Sequence, residues 1–188
     1  MNAVVQQVYE PAASEAAVSD STLEFVLAPY KPHCRYLQSA TVEKGSEGAS
    51  QITAKGKFTI AESCYIADTG HFNAVEFNIC YNQLAYSMLA QSIDLQLLDS
   101  LRSWNLDEFS RRQLSDFLIV QFNSKFRKPL NARWFEGRVD IDKVSILRGS
   151  IFMKTSCSFE DSLGATAEGG ALIVIIGNGQ KHEQSNEA

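Results

Sequence analysis

Apolar positions along the chain keep two different rhythms. Phe77, Cys80, Tyr81, Leu84, Ala85, Met88 and Leu89 recur at spacings of three and four, and Val75 and Ile79 widen the stripe. That is the period of a helix with a broad buried face, and it predicts one long helix starting after His71 or Asn73. Elsewhere a period of two dominates. "QITAKGKFTI" sets Ile52, Ala54, Phe58 and Ile60 against Lys and Thr, and "WFEGRVDIDKVSIL" alternates at Val139 and Ile141, then at Val144 and Ile146. "LSDFLIVQFNSKFRKPL" reads as a strand stopped at Pro129, and "GSIFMKTSCSFED" and "GATAEGGALIVIIG" read as two more. Arg148-Gly149 and the stretch from Glu160 to Gly164 supply turns at hairpin distances, so these last strands should pair antiparallel. "NLDEFSRRQL" predicts a second, shorter helix, with Asn105 as N-cap and Asp107 and Glu108 in its first turn.

One long buried helix with several long antiparallel strands points to the α+β class, and within it to the hot-dog fold: a curved antiparallel sheet wrapped around a central helix. Other α+β layouts share the same elements. The 188 residues fit one domain. The polar ends divide it into a flexible N-terminal segment over 1–20, a folded domain over 21–178 and a disordered tail over 179–188.

A formal charge of -5 argues against a nucleic-acid partner, which wants a basic face. The start, "MNAVVQQVYEPAASEAAVSD", has no basic and then apolar run, so no signal peptide is expected. No stretch of about 18 apolar residues predicts a membrane span. Cys34, Cys64, Cys80 and Cys157 are widely spaced in apolar surroundings and show no metal-ligand spacing. They read as buried thiols in a reducing cytoplasm. No metal and no cofactor is expected, and no "GxSxG" suggests a serine nucleophile.

The chemistry gathers in "ESCYIADTGHFNAVEF", where a polar knot precedes the most apolar helix. Asn73 or Thr69 can cap that helix, whose first N–H groups then face whatever lies in front. A helix start carries partial positive charge and suits a developing oxyanion. Gly70 allows a sharp turn that would present Tyr65, His71 and Asn73 near it. Such a set fits acyl thioester chemistry, with donors for a carbonyl oxygen and a histidine to carry protons. It fits equally a capping asparagine beside a satisfied structural histidine.

The segments "PYKPHCRYL", "GKFTIAESCYIADTGHFNAVEFNICYNQLAYS" and "FRKPLN" are similar to the FcoT-like family of hot-dog proteins. The resemblance runs from about Leu27 to Leu130. It implies a fatty acyl thioesterase, or an enzyme that adds glycine to a (2E)-enoyl thioester on an acyl carrier protein, on the way to isonitrile lipids and lipopeptides or β-amino acid units. It further implies Tyr30, Tyr65, Asn73 and Asn82 as site residues, with His71 in the matching "TGHFN". By the same analogy a homodimer or higher homo-oligomer is expected, with an acyl carrier protein or CoA thioester and glycine as partners.

For that chemistry His71 is the natural base, because histidine titrates near neutrality. Tyr65 would orient it or return a proton. Glu76 is the helix carboxylate near the start, either catalytic or simply favoured by the dipole. Glycine's carboxylate needs a cation. "NSKFRKPLNAR" offers Lys125 and Arg127, which share one face of a strand, then Lys128 and Arg133. These could instead meet a pantetheine phosphate or dock an acidic carrier protein, and Arg111 and Arg112 fit that last role or a solvated helix face. Hydrolysis of an acyl thioester and a non-catalytic acyl-binding module remain as alternatives.

Overall fold

Three helices, α1 (Asp20–Leu27), α2 (Ala74–Asp94) and α3 (Leu106–Arg112), accompany seven strands: β1 (Glu15–Ala17), β2 (Leu37–Lys44), β3 (Ile52–Phe58), β4 (Phe117–Phe126), β5 (Phe135–Leu147), β6 (Ser150–Asp161) and β7 (Thr166–Ile175). This computed structural model describes residues 15–45, 51–67 and 70–177. The strands form one antiparallel sheet in the order β1-β2-β3-β5-β6-β7-β4. The long helix α2 lies against one face of it, burying Phe77, Leu84, Met88 and Ile93 along its length. This is the hot-dog arrangement of the α+β class. No helix of the described residues is long and apolar enough to cross a membrane.

Strand register follows from which residues must face α2. Ile52, Ala54, Gly56 and Phe58 stand opposite Ile141, Val139, Gly137 and Phe135. At Gly56 and Gly137 both partners are glycine, for a steric reason. A Cβ on Gly56 would lie 2.7 Å from Leu37 Cδ1 and 2.9 Å from Leu84 Cδ1, and one on Gly137 would lie 2.6 Å from Phe159 Cε1. The pair lets the helix and the Phe159 ring settle onto the sheet, where packing at interior density leaves no room for another methyl.

The start of α2 is over-determined. Asn73 is its N-cap, with Phe72 just before and Phe77 one turn in, their rings 5.9 Å apart. That is a hydrophobic staple, which fixes the angle at which the chain enters a helix. Phe72 also packs 4.8 Å from Phe135 and 5.4 Å from Phe159, and its N–H donates to Leu130 O at 3.0 Å. The tip is thus held on an aromatic bed rather than left to fray.

One expectation needs correction at the N-terminal side. Residues 15–20 belong to the fold: Glu15–Ala17 pair with Glu43–Thr41, and the Ser19 hydroxyl caps α1 by accepting from Thr22 N at 3.1 Å. A three-residue strand shows no period of its own; it exists because β2 offers an edge. Residues 1–14 and 178–188 lie outside the described residues, and with them most of the expected flexible segment and tail. Tyr65 sits in the loop between β3 and α2, because β3 ends at Phe58.

Candidate active site

Asn73 builds the tip. Its Oδ1 accepts from Val75 N at 3.0 Å and Glu76 N at 3.2 Å, while Glu76 Oε2 accepts from Asn73 N at 3.4 Å. Because Oδ1 holds two N–H donors, the other side-chain atom is fixed as Nδ2. This capping box changes the expected anion seat, since the Val75 and Glu76 amides are taken by the protein's own cap. What the tip retains is the Ala74 N–H and Asn73 Nδ2, a buried donor with no hydrogen-bond partner among the described residues. Thr69, the other possible cap, lies outside the described residues.

Beside the tip is a cavity of about 100 Å³, whose walls include Ser63, Gly70, His71, Glu76 and Arg133. Gly70 sits at φ 71°, a left-handed turn that glycine tolerates, and so aims the chain into Phe72 and the helix. His71 is exposed at this wall, whereas Glu76 is only 2% exposed. Arg133 Nη1 donates to the Ile60 and Ala61 carbonyls, which fastens the guanidinium to the first residues of the β3–α2 loop.

Behind Arg133 stands a carboxylate. Asp161 accepts from Asn131 N at 2.8 Å, Leu163 N at 2.9 Å and Ala165 N at 3.0 Å, and Asn131 Oδ1 in turn accepts from Arg133 N at 2.9 Å. The Asn131 bond, then those from Ala165 and Leu163, hold the Asp161 carboxyl below the usual carboxylate range against the opposing effect of burial. Its folded pKa is the lower one, so its stabilisation is complete above the unfolded value of about 3.9 and vanishes as pH falls through the folded value. Asp161→Ala should cost about 2 kcal/mol at neutral pH by stranding these N–H groups. It should also lose less further stability than wild type between about pH 5 and pH 2. Urea midpoints across that range check this, and parallel acid limbs for both proteins would refute it.

The other expected residues are spread more widely. Tyr65, 53% exposed, lies in the loop that supplies Ser63 and Ala67 to the cavity wall. Tyr30 is half-buried further along; burial, with Tyr86 and Cys80 as neighbours, pushes its phenol pKa up, so it stays a protonated donor. Asn82 stands on the open face of α2 and donates from Nδ2 to Asn78 Oδ1 at 3.1 Å. Lys125 and Arg127 do not reach the tip. Phe126 turns inward onto Phe77 and Phe72, so its two neighbours point to the outer face of the sheet, where Arg127 pairs with Glu168 at 2.5 Å. The cation at the cavity is Arg133. Arg112 is likewise no docking residue: it is buried against Asp116, and Arg111 pairs with Glu108.

Two supporting residues carry no obvious sequence signal. Gln83, fully buried in α2, accepts from Tyr36 N and Leu37 N at 2.9 and 3.0 Å and donates to Cys34 O at 2.6 Å. It ties the start of β2 to the helix. Tyr36 then donates from its hydroxyl to Glu62 O at 3.3 Å, reaching the loop that carries Tyr65.

Comparison with known proteins places this geometry. The FcoT-like thioesterase domain matches residues 25–175. A (2E)-enoyl-[ACP] glycyltransferase of Streptomyces coeruleorubidus is 40% identical, over 84% of this chain and 96% of that one. The protein of the same name from Mycobacterium tuberculosis is 40% identical, over 81% and 84%. A solved hot-dog-like protein from Thermanaerovibrio acidaminovorans aligns at 15% identity and a TM-score of 0.40, over 63% of this chain and 72% of its own. With the family match spanning most of its length and relatives at this identity, the chain belongs to the FcoT-like thioesterase family.

Proposed function

We propose that this protein adds glycine to the β-carbon of a (2E)-enoyl thioester carried on an acyl carrier protein. One observation carries the reading: His71, Glu76 and Arg133 share a small cavity at the capped tip of α2, in a chain 40% identical to relatives named for that transfer. The nitrogen lone pair of glycine forms the N–Cβ bond, and the alkene pair shifts to an enolate whose charge rests on the thioester oxygen. Asn73 Nδ2 and the Ala74 N–H stabilise that oxygen. His71 takes the proton shed by the nitrogen, and the α-carbon gains one, with Tyr65 orienting the imidazole or returning the proton. Every atom of both substrates is kept and the C–S bond stays intact. No metal or cofactor enters this electron count.

Tyr30 and Asn82 contact the acyl and pantetheine portions on the flank of α2, and Glu76 shapes the cavity through the cap. That flank is open in a single chain: Val75 and Asn78 are exposed, and the edge strand β4 exposes Leu118, Ile119 and Val120. A second copy is the occupant these features favour, since an unpaired apolar edge is a template for another strand. The homodimer would close the acyl path. The four free thiols suit a reducing cytoplasm.

The thioesterase name of the matched family favours a second reading, hydrolysis, in which water attacks the same polarised carbonyl. Mass spectrometry separates them. Incubated with enoyl-loaded carrier protein, the enzyme should give a product heavier by one whole glycine, only when glycine is present. Free acid formed at equal rate with and without glycine would establish hydrolysis instead. No product, with the acyl group bound, would leave an acyl-binding module.

A further inference from the structure

The geometry points to the cavity at the tip of α2 as the amino-acid subsite, with the Arg133 guanidinium holding the α-carboxylate and the cavity walls limiting the size of the amine. This rests on the glycyl-transfer reading and goes further, because it says where glycine sits and what selects it.

Size is the first ground. The cavity measures about 100 Å³. Sites for drug-sized ligands run to about 300–1,000 Å³. The space therefore suits a handful of heavy atoms, not an acyl chain. Charge is the second. The residues that line it include Arg133, Glu76 and His71. A zwitterion asks for a cation at one end and an acceptor at the other, and few other small ligands do.

An unmet hydrogen-bonding group is the third ground. Ser63 is a lining residue, and its Oγ is buried with no hydrogen-bond partner among the described residues. Such groups are uncommon in folded proteins and a polar ligand would satisfy this one. Rigidity is the fourth. Arg133 is fixed through the Ile60 and Ala61 carbonyls and, at its main-chain N–H, through Asn131 to Asp161. A planar fork held in place recognises a carboxylate with little further ordering, which a lysine cannot match. The arrangement also puts the amine in the same small space as His71, where its proton must go.

The test compares glycine with glycinamide, which keeps the amine and lacks the carboxylate, in wild type, Arg133→Gln and Arg133→Lys. Saturation-transfer NMR reads binding of each amine without the acyl substrate, and product mass reads transfer. Wild type should bind glycine and add it in preference to glycinamide. Arg133→Gln should raise KM for glycine about 10- to 100-fold, leave KM for the enoyl thioester unchanged and erase the preference over glycinamide. Arg133→Lys should recover part of it. Leucine should neither bind nor react.

If glycine and glycinamide suffer equally in Arg133→Gln, the residue only holds its loop and the subsite lies elsewhere. Unchanged glycine binding in that variant, or leucine competing with glycine, overturns the assignment while the transfer reading stands. Wild type that binds glycine through Arg133 but forms no adduct keeps the subsite and sinks the transfer. Wild type that does neither refutes both.

Discussion

His71→Ala should fold as stably as wild type and lose glycine addition by about 10²- to 10⁴-fold, the usual contribution of a positioned proton carrier. His71 lies on the exposed wall of the cavity and outside the apolar core, so removing its ring opens no buried void. The tip it borders is held by other groups: the Asn73–Glu76 box, the Phe72–Phe77 staple and the Phe72 N–H to Leu130 O. Loss of rate with an unchanged urea midpoint would therefore belong to chemistry and not to collapse of the site. The measurement is kcat for adduct formation at saturating glycine. A variant that turns over like wild type would remove His71 from the mechanism and pass the proton role to Glu76 or Tyr65.

The largest stability effect is expected far from the chemistry, at Asp116. Arg112 and Asp116, both buried, meet at 2.5 Å from Nε to Oδ2. The same guanidinium donates to Ile176 O and lies 4.2 Å over the Trp104 ring, while Ile176 N donates to Asp116 O at 2.9 Å. This knot fastens the end of β7 to the turn between α3 and β4. Asp116→Ala leaves the guanidinium buried without its closest carboxylate, which should cost about 3–5 kcal/mol. Chemical denaturation gives the value directly. The double variant Asp116→Ala/Arg112→Met should recover much of the loss, because removing both charges avoids the stranded one. A single-variant loss below about 1 kcal/mol would mean that Glu108, 3.5 Å from Arg112, already suffices.

What the chain made legible was whatever depends on local period and local capping. The stripe from Phe77 to Leu89 announced α2, and the turns at Gly149 and Gly164 announced the last hairpins, since both signals sit within a few residues of what they specify. Asn73 was readable as a cap, but not that its Oδ1 would take two amides and so reduce the donors left for a substrate. That depends on the rotamer adopted against Glu76. Lys125 and Arg127 looked available because a strand face holds them together. Which face turned inward was decided by the bulge between Ile119 and Gln121 and by the packing of Phe126. Arg133 was visible in the same basic run, yet only the turn after Pro129 returns it to the tip. Gln83 and Tyr36 were silent, because their partners lie more than 25 residues away in the chain.

The two facing glycines of β3 and β5 carry a consequence for assembly. Should β3 slide by a single residue, Lys55 and Lys57 would turn inward beneath Leu84, and two unpaired ammonium groups would be dragged under an apolar helix. The gap therefore serves as a checkpoint on strand alignment: only one pairing lets the helix seat, so misaligned chains stay open and free to rearrange.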